Sequence, residues 1–155
     1  MKNIDVVRHK QRLDATFDKA KELNGDPELL AHWARYLCVL ASGFIEASVR
    51  TIVAEYATKR ASPEIAHFIG KSLKSFSNAK MSKIYEVASQ FGNDFGDKLI
   101  QSMDEEYEAA VDSIVSNRHQ IAHGRNVGIG LVTIQQYYKS AVKAVEVIEQ
   151  QFDES

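Results

Sequence analysis

Arg118 and His123 are the residues of this chain whose types and spacing could do chemistry together. They bound the stretch Arg118-His119-Gln120-Ile121-Ala122-His123, which Gly124 follows. An arginine neutralises a phosphate with a forked, permanent charge, and a histidine moves a proton near neutral pH. Held together, the two suffice for metal-free cleavage of an RNA phosphodiester, because the ribose 2′-OH supplies the nucleophile. Spacing alone is not selective. With seven Arg and five His in 155 residues, chance supplies roughly 0.7 matches to an Arg, four to six residues, His pattern. Arg60 and His67 are one decoy. That pair straddles Ser62-Pro63, a chain break and new helix start, so no single element holds it.

The same stretch partly matches the zinc-protease pattern HExxH through His119 and His123. Gln120 stands where the glutamate general base would be, and no third histidine follows. No metal and no cofactor are therefore expected, and metal-assisted hydrolysis would lack its base.

Composition bounds the rest. A chain of 155 residues reads as one domain over 1–155, long enough to bury well over half of its unfolded surface. Its 45% apolar and 26% charged residues are those of an ordinary soluble protein. A net charge of −2 argues against non-specific coating of nucleic acid, yet it leaves room for a local phosphate site. No apolar run approaches the roughly 20 residues of a bilayer span, and Met1-Lys2-Asn3-Ile4-Asp5 lacks a signal-peptide core. Cys38, the lone cysteine, has no partner for an internal disulfide. These features predict a cytoplasmic protein with no membrane association.

Helical periodicity runs almost throughout. It predicts a first helix over residues 6–23, stopped by Asn24-Gly25. A second restarts at Asp26-Pro27-Glu28 and runs to about residue 59. Apolar residues cover most of that helix, from Leu29 and Trp33 to Val53 and Tyr56, which makes it the central one. Ser62-Pro63-Glu64 opens a short third helix, and Asn78 is expected to cap a fourth that ends at Phe91-Gly92-Asn93-Asp94. A fifth is expected without interruption over 95–122. Gly124, Gly128 and Gly130 mark a loop, and Thr133-Ile134-Gln135-Gln136 has the form of a capping box opening the last helix. Residues 127–132 are the only candidate strand. The fold class is all-α, an up-and-down bundle of four to five main helices.

On the fifth helix the apolar stripe steps through Leu99, Met103, Tyr107, Val111 and Ile114, and its next steps are Arg118 and Ile121. Arg118 thus falls on a surface patterned for apolar contact. Burying an unpaired guanidinium costs several kcal/mol, so it needs a partner or a cleft. His123 lies in the last turn, whose negative dipole end suits a proton donor. Five residues turn an ideal helix by about 140°. The two side chains therefore face one way only if the helix frays at His123 or a second copy approaches. The plainer alternative pairs Arg118 with an acid such as Glu46 and leaves His123 as a helix cap.

Glu46 and Arg50, acid first at four residues, also read as an ordinary helical ion pair. Lys71, Lys74, Lys80 and Lys83, near Phe76 and Tyr85, make the most basic segment. They could steer an RNA backbone; a solvated lysine face is the simpler reading.

With these residues in view, the chain resembles the HEPN superfamily, whose hallmark is Arg, four to six residues, then His, with a polar residue commonly after the Arg. The nearest likeness is to its prokaryotic RiboL-PSP-like branch. It extends from Ser42-Gly43-Phe44-Ile45-Glu46 to the helix after Thr133, by layout more than identity. The resemblance implies a HEPN-like bundle of four to five helices that dimerises, bringing two Arg/His pairs into one composite cleft. It also implies metal-independent endoribonuclease activity, with the Arg role on Arg118, the His role on His123 and an acidic contribution from Glu46. His119 stands where Asn or Asp is commoner. Toxin–antitoxin or phage-defence roles, with an antitoxin protein as partner, follow by implication. So does the alternative, a non-catalytic HEPN-like module that binds a protein partner or a nucleotide.

Overall fold

The computed structural model describes residues 1–155. Seven helices form and no strand: α1 Ile4–Lys21, α2 Pro27–Arg60, α3 Pro63–Ser72, α4 Met81–Ser89, α5 Asn93–Ser102, α6 Glu105–Ala122 and α7 Leu131–Glu154, with a 3₁₀ turn at Leu73–Ser75. The bundle is all-α, as the periodicity predicts; α1, α2, α6 and α7 are its four main helices, and α3, α4 and α5 are short, of 9 or 10 residues each. Residues 127–132 are irregular up to the start of α7.

Helix α2 is the axis. It packs against α1, α3, α6 and α7, and Leu37, Cys38, Ala41, Phe44 and Ile45 are fully buried along it. His9 meets Phe44 edge-on and the Asn3 amide donates to Glu55, so α1 runs antiparallel to α2. Phe44 meets Tyr138 and Tyr56 meets Phe152, so α7 runs parallel to α2. Helix α6 returns into α7 through residues 123–130 and packs along it, which makes α6 antiparallel to both. The Cys38 thiol donates to the Ile114 carbonyl at 3.4 Å and marks the α2–α6 register. The last turns of α6 therefore lie beside the first turns of α2.

The apolar composition of α2 corrects the expectation that no run is long enough to span a bilayer. An 18-residue stretch of it is long and apolar enough, yet 56% of that stretch is buried inside the bundle. Burial against four neighbouring helices accounts for such a composition.

Other boundaries differ for local reasons. The predicted fifth helix is two helices, broken where Met103 turns extended (φ −84°, ψ 126°) and Asp104 caps α6 by accepting from the Glu106 N–H. An Asp followed by two Glu is a strong helix start, which the unbroken apolar spacing conceals. Asn78 caps nothing. It adopts φ +52°, and the α4 end is satisfied from across the bundle, the Met81 N–H donating to the Asp112 carboxylate at 2.8 Å. Helix α7 starts two residues before Thr133, with Gly130 at the cap position. At the other end α1 begins earlier than predicted because the Asn3 side chain accepts from the Asp5 and Val6 N–H groups.

Glu149, only 5% exposed, ties the two ends of the chain together. Its carboxylate accepts from the Lys2 and Asn3 N–H groups at 2.8 and 2.7 Å. Removing it orphans two donors, so Glu149→Ala is expected to cost about 1–3 kcal/mol in chemical denaturation. The exposed Glu154→Ala should stay within about 0.5 kcal/mol. Burial also pushes the Cys38 thiol up to about 11, which keeps it protonated and unreactive. Ellman's reagent at pH 8 is expected to label Cys38 only after unfolding; rapid labelling of the native protein would contradict this packing.

Candidate active site at the end of α6

The end of helix α6 positions the candidate residues. Helix α6 keeps regular geometry through Ala122, and His123 is its cap at φ −91°, ψ 13°. Gly124 then turns left-handed at φ +69°, a conformation glycine adopts without steric cost. The Gly124 N–H donates to the Ile121 carbonyl and the Arg125 N–H to the Gln120 carbonyl, both at 3.0 Å. These two bonds are a Schellman ending, which satisfies carbonyls that a fraying helix would leave bare. The Arg125 guanidinium also donates to the Gln120 side chain at 2.8 Å.

His119 and His123, four residues apart, lie one above the other. Their rings meet at a centroid distance of 4.4 Å with planes at 61°. Both are exposed. Arg118 is half-buried, one step beyond the buried face formed by Ala110, Val111, Ile114 and Val115. It has no partner among the ion pairs or side-chain hydrogen bonds of the protomer. The helix does not fray, so Arg118 and His123 keep the roughly 140° separation of a regular helix. The protomer thus brings His119 to His123, and does not bring Arg118 to His123.

Glu46 is held elsewhere. Its carboxylate accepts from Arg50 at 2.9 Å, and the same guanidinium donates twice to the Phe76 carbonyl. The antiparallel register sets Glu46 level with the first turns of α6, at the opposite end from His119 and His123. The four lysines part company as well. Lys71 is exposed on α3, and Lys74 lines a groove with Arg50 and Gly70. Lys83 donates to the Ser77 carbonyl at 2.9 Å. Lys80 alone reaches the motif, sharing a cleft of about 240 Å³ with Asn78, Val115, Ser116, His119 and Gln120.

Tyr85 is not free to stack on a base. Its hydroxyl donates to Glu108 at 2.7 Å. Burial, then that bond and the charges of Glu108 and Asp112, hold the phenol well above its usual range. It is a strut between α4 and α6, and Asp112 is another. The sequence pattern did not single out Asp112 or Arg125, and it read Asn78 only as a helix cap. Asp112 looks like one more surface acid until α4 is seen against α6, and the only signal for Asn78 is the tolerance of Asn for left-handed backbone. The decoy pair is separated as expected, with Arg60 ending α2 over the Tyr56 ring at 4.4 Å and His67 on α3. No group of three or more His, Cys, Asp or Glu is disposed to hold a metal ion.

Chemically, the end of α6 offers one fixed cation in a half-buried setting and two accessible imidazoles on an adjacent face, suited to an anionic ligand and to proton transfer. No curated protein and no solved structure matches the chain. The family model described as RiboL-PSP-HEPN matches residues 5–154, nearly the whole length. The chain belongs to the RiboL-PSP-HEPN family.

Proposed function

We propose that this single-domain, cytoplasmic protein is a metal-independent endoribonuclease that works as a homodimer. One observation carries the reading: Arg118 is a half-buried guanidinium with no partner of its own, next in sequence to His119, whose ring meets that of His123. A permanent charge kept partly out of water without a counter-ion costs stability, and it is retained where an anion from outside supplies the missing partner. The scissile phosphate is such an anion.

In this mechanism the Arg118 fork holds two non-bridging phosphate oxygens and stabilises the charge that grows on them. The ribose 2′-oxygen attacks phosphorus as the bond to the 5′-oxygen breaks. His123 either takes the 2′-OH proton or gives a proton to the departing 5′-oxygen. The products are a 2′,3′-cyclic phosphate and a 5′-OH end. Arg118 and His123 diverge within one protomer, so the second copy supplies the complementary member across a twofold axis. His119 holds the His123 ring from below. Glu46 acts through Arg50 and the loop that Arg50 anchors, and Lys71, Lys74, Lys80 and Lys83 add positive potential along the RNA approach. A toxin or phage-defence role, restrained by an antitoxin protein, suits such an enzyme.

RNA cleavage in excess EDTA tests the chemistry. Wild type is expected to cleave, and His123→Ala to be slower by about 10²–10⁴-fold, the usual contribution of a positioned acid or base. Arg118→Ala is expected to lose about 10²–10³-fold with a melting temperature unchanged or raised, because it breaks no ion pair within the protomer. Equal cleavage by wild type and His123→Ala, or no cleavage of any RNA offered, overturns the nuclease reading. The second outcome would leave a non-catalytic module that binds a protein or a nucleotide.

A further inference from the structure

The segment between the 3₁₀ turn and α4 is braced more firmly than a connecting loop requires. At one end the Arg50 guanidinium clamps the Phe76 carbonyl with bonds of 3.1 and 2.7 Å. At the other, Asp112 captures the Met81 N–H. In between, Lys83 holds the Ser77 carbonyl, the Ala79 side chain is fully buried, and the Lys80 N–H turns back to the Asn78 carbonyl at 2.7 Å. Asn78 carries the strain of a left-handed backbone at φ +52°. Strain of this kind persists where surrounding structure over-determines it, and it clusters at ligand sites.

What this bracing holds in place is a set of polar groups without partners. The Asn78 amide, the Lys80 ammonium and the Ser116 hydroxyl make no hydrogen bond within the protomer, and all three line the cleft that His119 closes. Gln120 lends the same wall an amide whose nitrogen stays free, since Arg125 takes only its oxygen. At about 240 Å³ the cleft lies below the about 300–1,000 Å³ that holds a drug-sized molecule. It suits a single base with its phosphate. A donor-and-acceptor amide beside an ammonium matches that ligand, the amide reading a base edge and the cation the backbone.

The geometry points to this cleft as the subsite for the nucleotide next to the scissile phosphate. Lys80 binds that nucleotide's phosphate, and Asn78 is the residue that determines base preference. The assignment rests on the ribonuclease reading, because His119 joins the cleft to His123. Its ligand is single-stranded RNA, whose bases are free to present their edges.

Binding without chemistry tests it. Short 2′-O-methyl RNA homopolymers of each of the four bases lack the nucleophile and cannot be cleaved. Wild type is expected to prefer one base. Asn78→Gly, which keeps the left-handed backbone and deletes only the amide, should weaken that base by about fivefold or more and flatten the preference. Lys80→Ala should weaken all four alike and reduce the slope of log affinity against log salt by about 0.7, the contribution of one phosphate on a single strand. Inorganic phosphate competing as well as the oligonucleotides would show a plain anion site and overturn the subsite. Variants that bind every homopolymer as wild type does, with an unchanged salt slope, would overturn it too. In that case loss of cleavage in His123→Ala would still stand for the nuclease. Conversely, binding that depends on Asn78 and Lys80 in a protein that cleaves nothing would leave a base-reading RNA cleft but overturn both the nuclease and the cleft's place beside a scissile phosphate.

Discussion

The antiparallel seam between α2 and α6, closed on its other side by α7, is the constraint on which the rest depends. Ile114 and Val115 of α6 are buried against it, each contributing on the order of 1.5–3 kcal/mol. Cys38 reaches the Ile114 carbonyl and sets the register. The helix cannot slide or rotate without exposing those side chains. Beyond Val115 the seam is continued only by the partly buried Ile121, and Arg118, between them on that face, is caught half in and half out of the bundle. Packing chosen for apolar contact therefore decides how much water reaches one guanidinium.

Helix geometry then divides the motif between two directions. Arg118 continues the seam face, while His119 and His123 stack on the neighbouring one. The Schellman ending at Gly124 keeps the last turn regular, so local fraying does not bring His123 round to Arg118. Struts from α4, through Asp112 and Tyr85, hold α6 from the opposite side. The loop that those struts anchor delivers Asn78 and Lys80 to the histidine face. The same regularity keeps Arg118 and His123 apart within a protomer, which is why the proposed reaction calls on a second copy.

Much of this was legible in the residues. Proline after an acid or a serine announced α2 and α3, glycine after His123 announced the end of α6, and the apolar coverage of α2 announced its central place. The Glu46–Arg50 pair follows from spacing alone, as does the half-buried place of Arg118. What escaped was decided by contacts between elements distant in sequence. The break at Met103-Asp104 is hidden because apolar spacing carries across it. The α4 cap comes from Asp112, which is 31 residues away from Met81, and no local pattern encodes such a partner. The cleft beside His119 depends on one strained asparagine, whose backbone angle no composition or periodicity reveals.

The central claim is that Arg118 of one copy works with His123 of another. Mixing the Arg118→Ala and His123→Ala proteins, each slowed by about 10²-fold or more alone, and allowing the subunits to exchange tests it most directly. A mixed dimer retains one intact arginine and one intact histidine, on different chains. The account predicts that RNA cleavage recovers on mixing and rises to a maximum near equal proportions. A mixture as slow as its components, after subunit exchange has been verified, would contradict it.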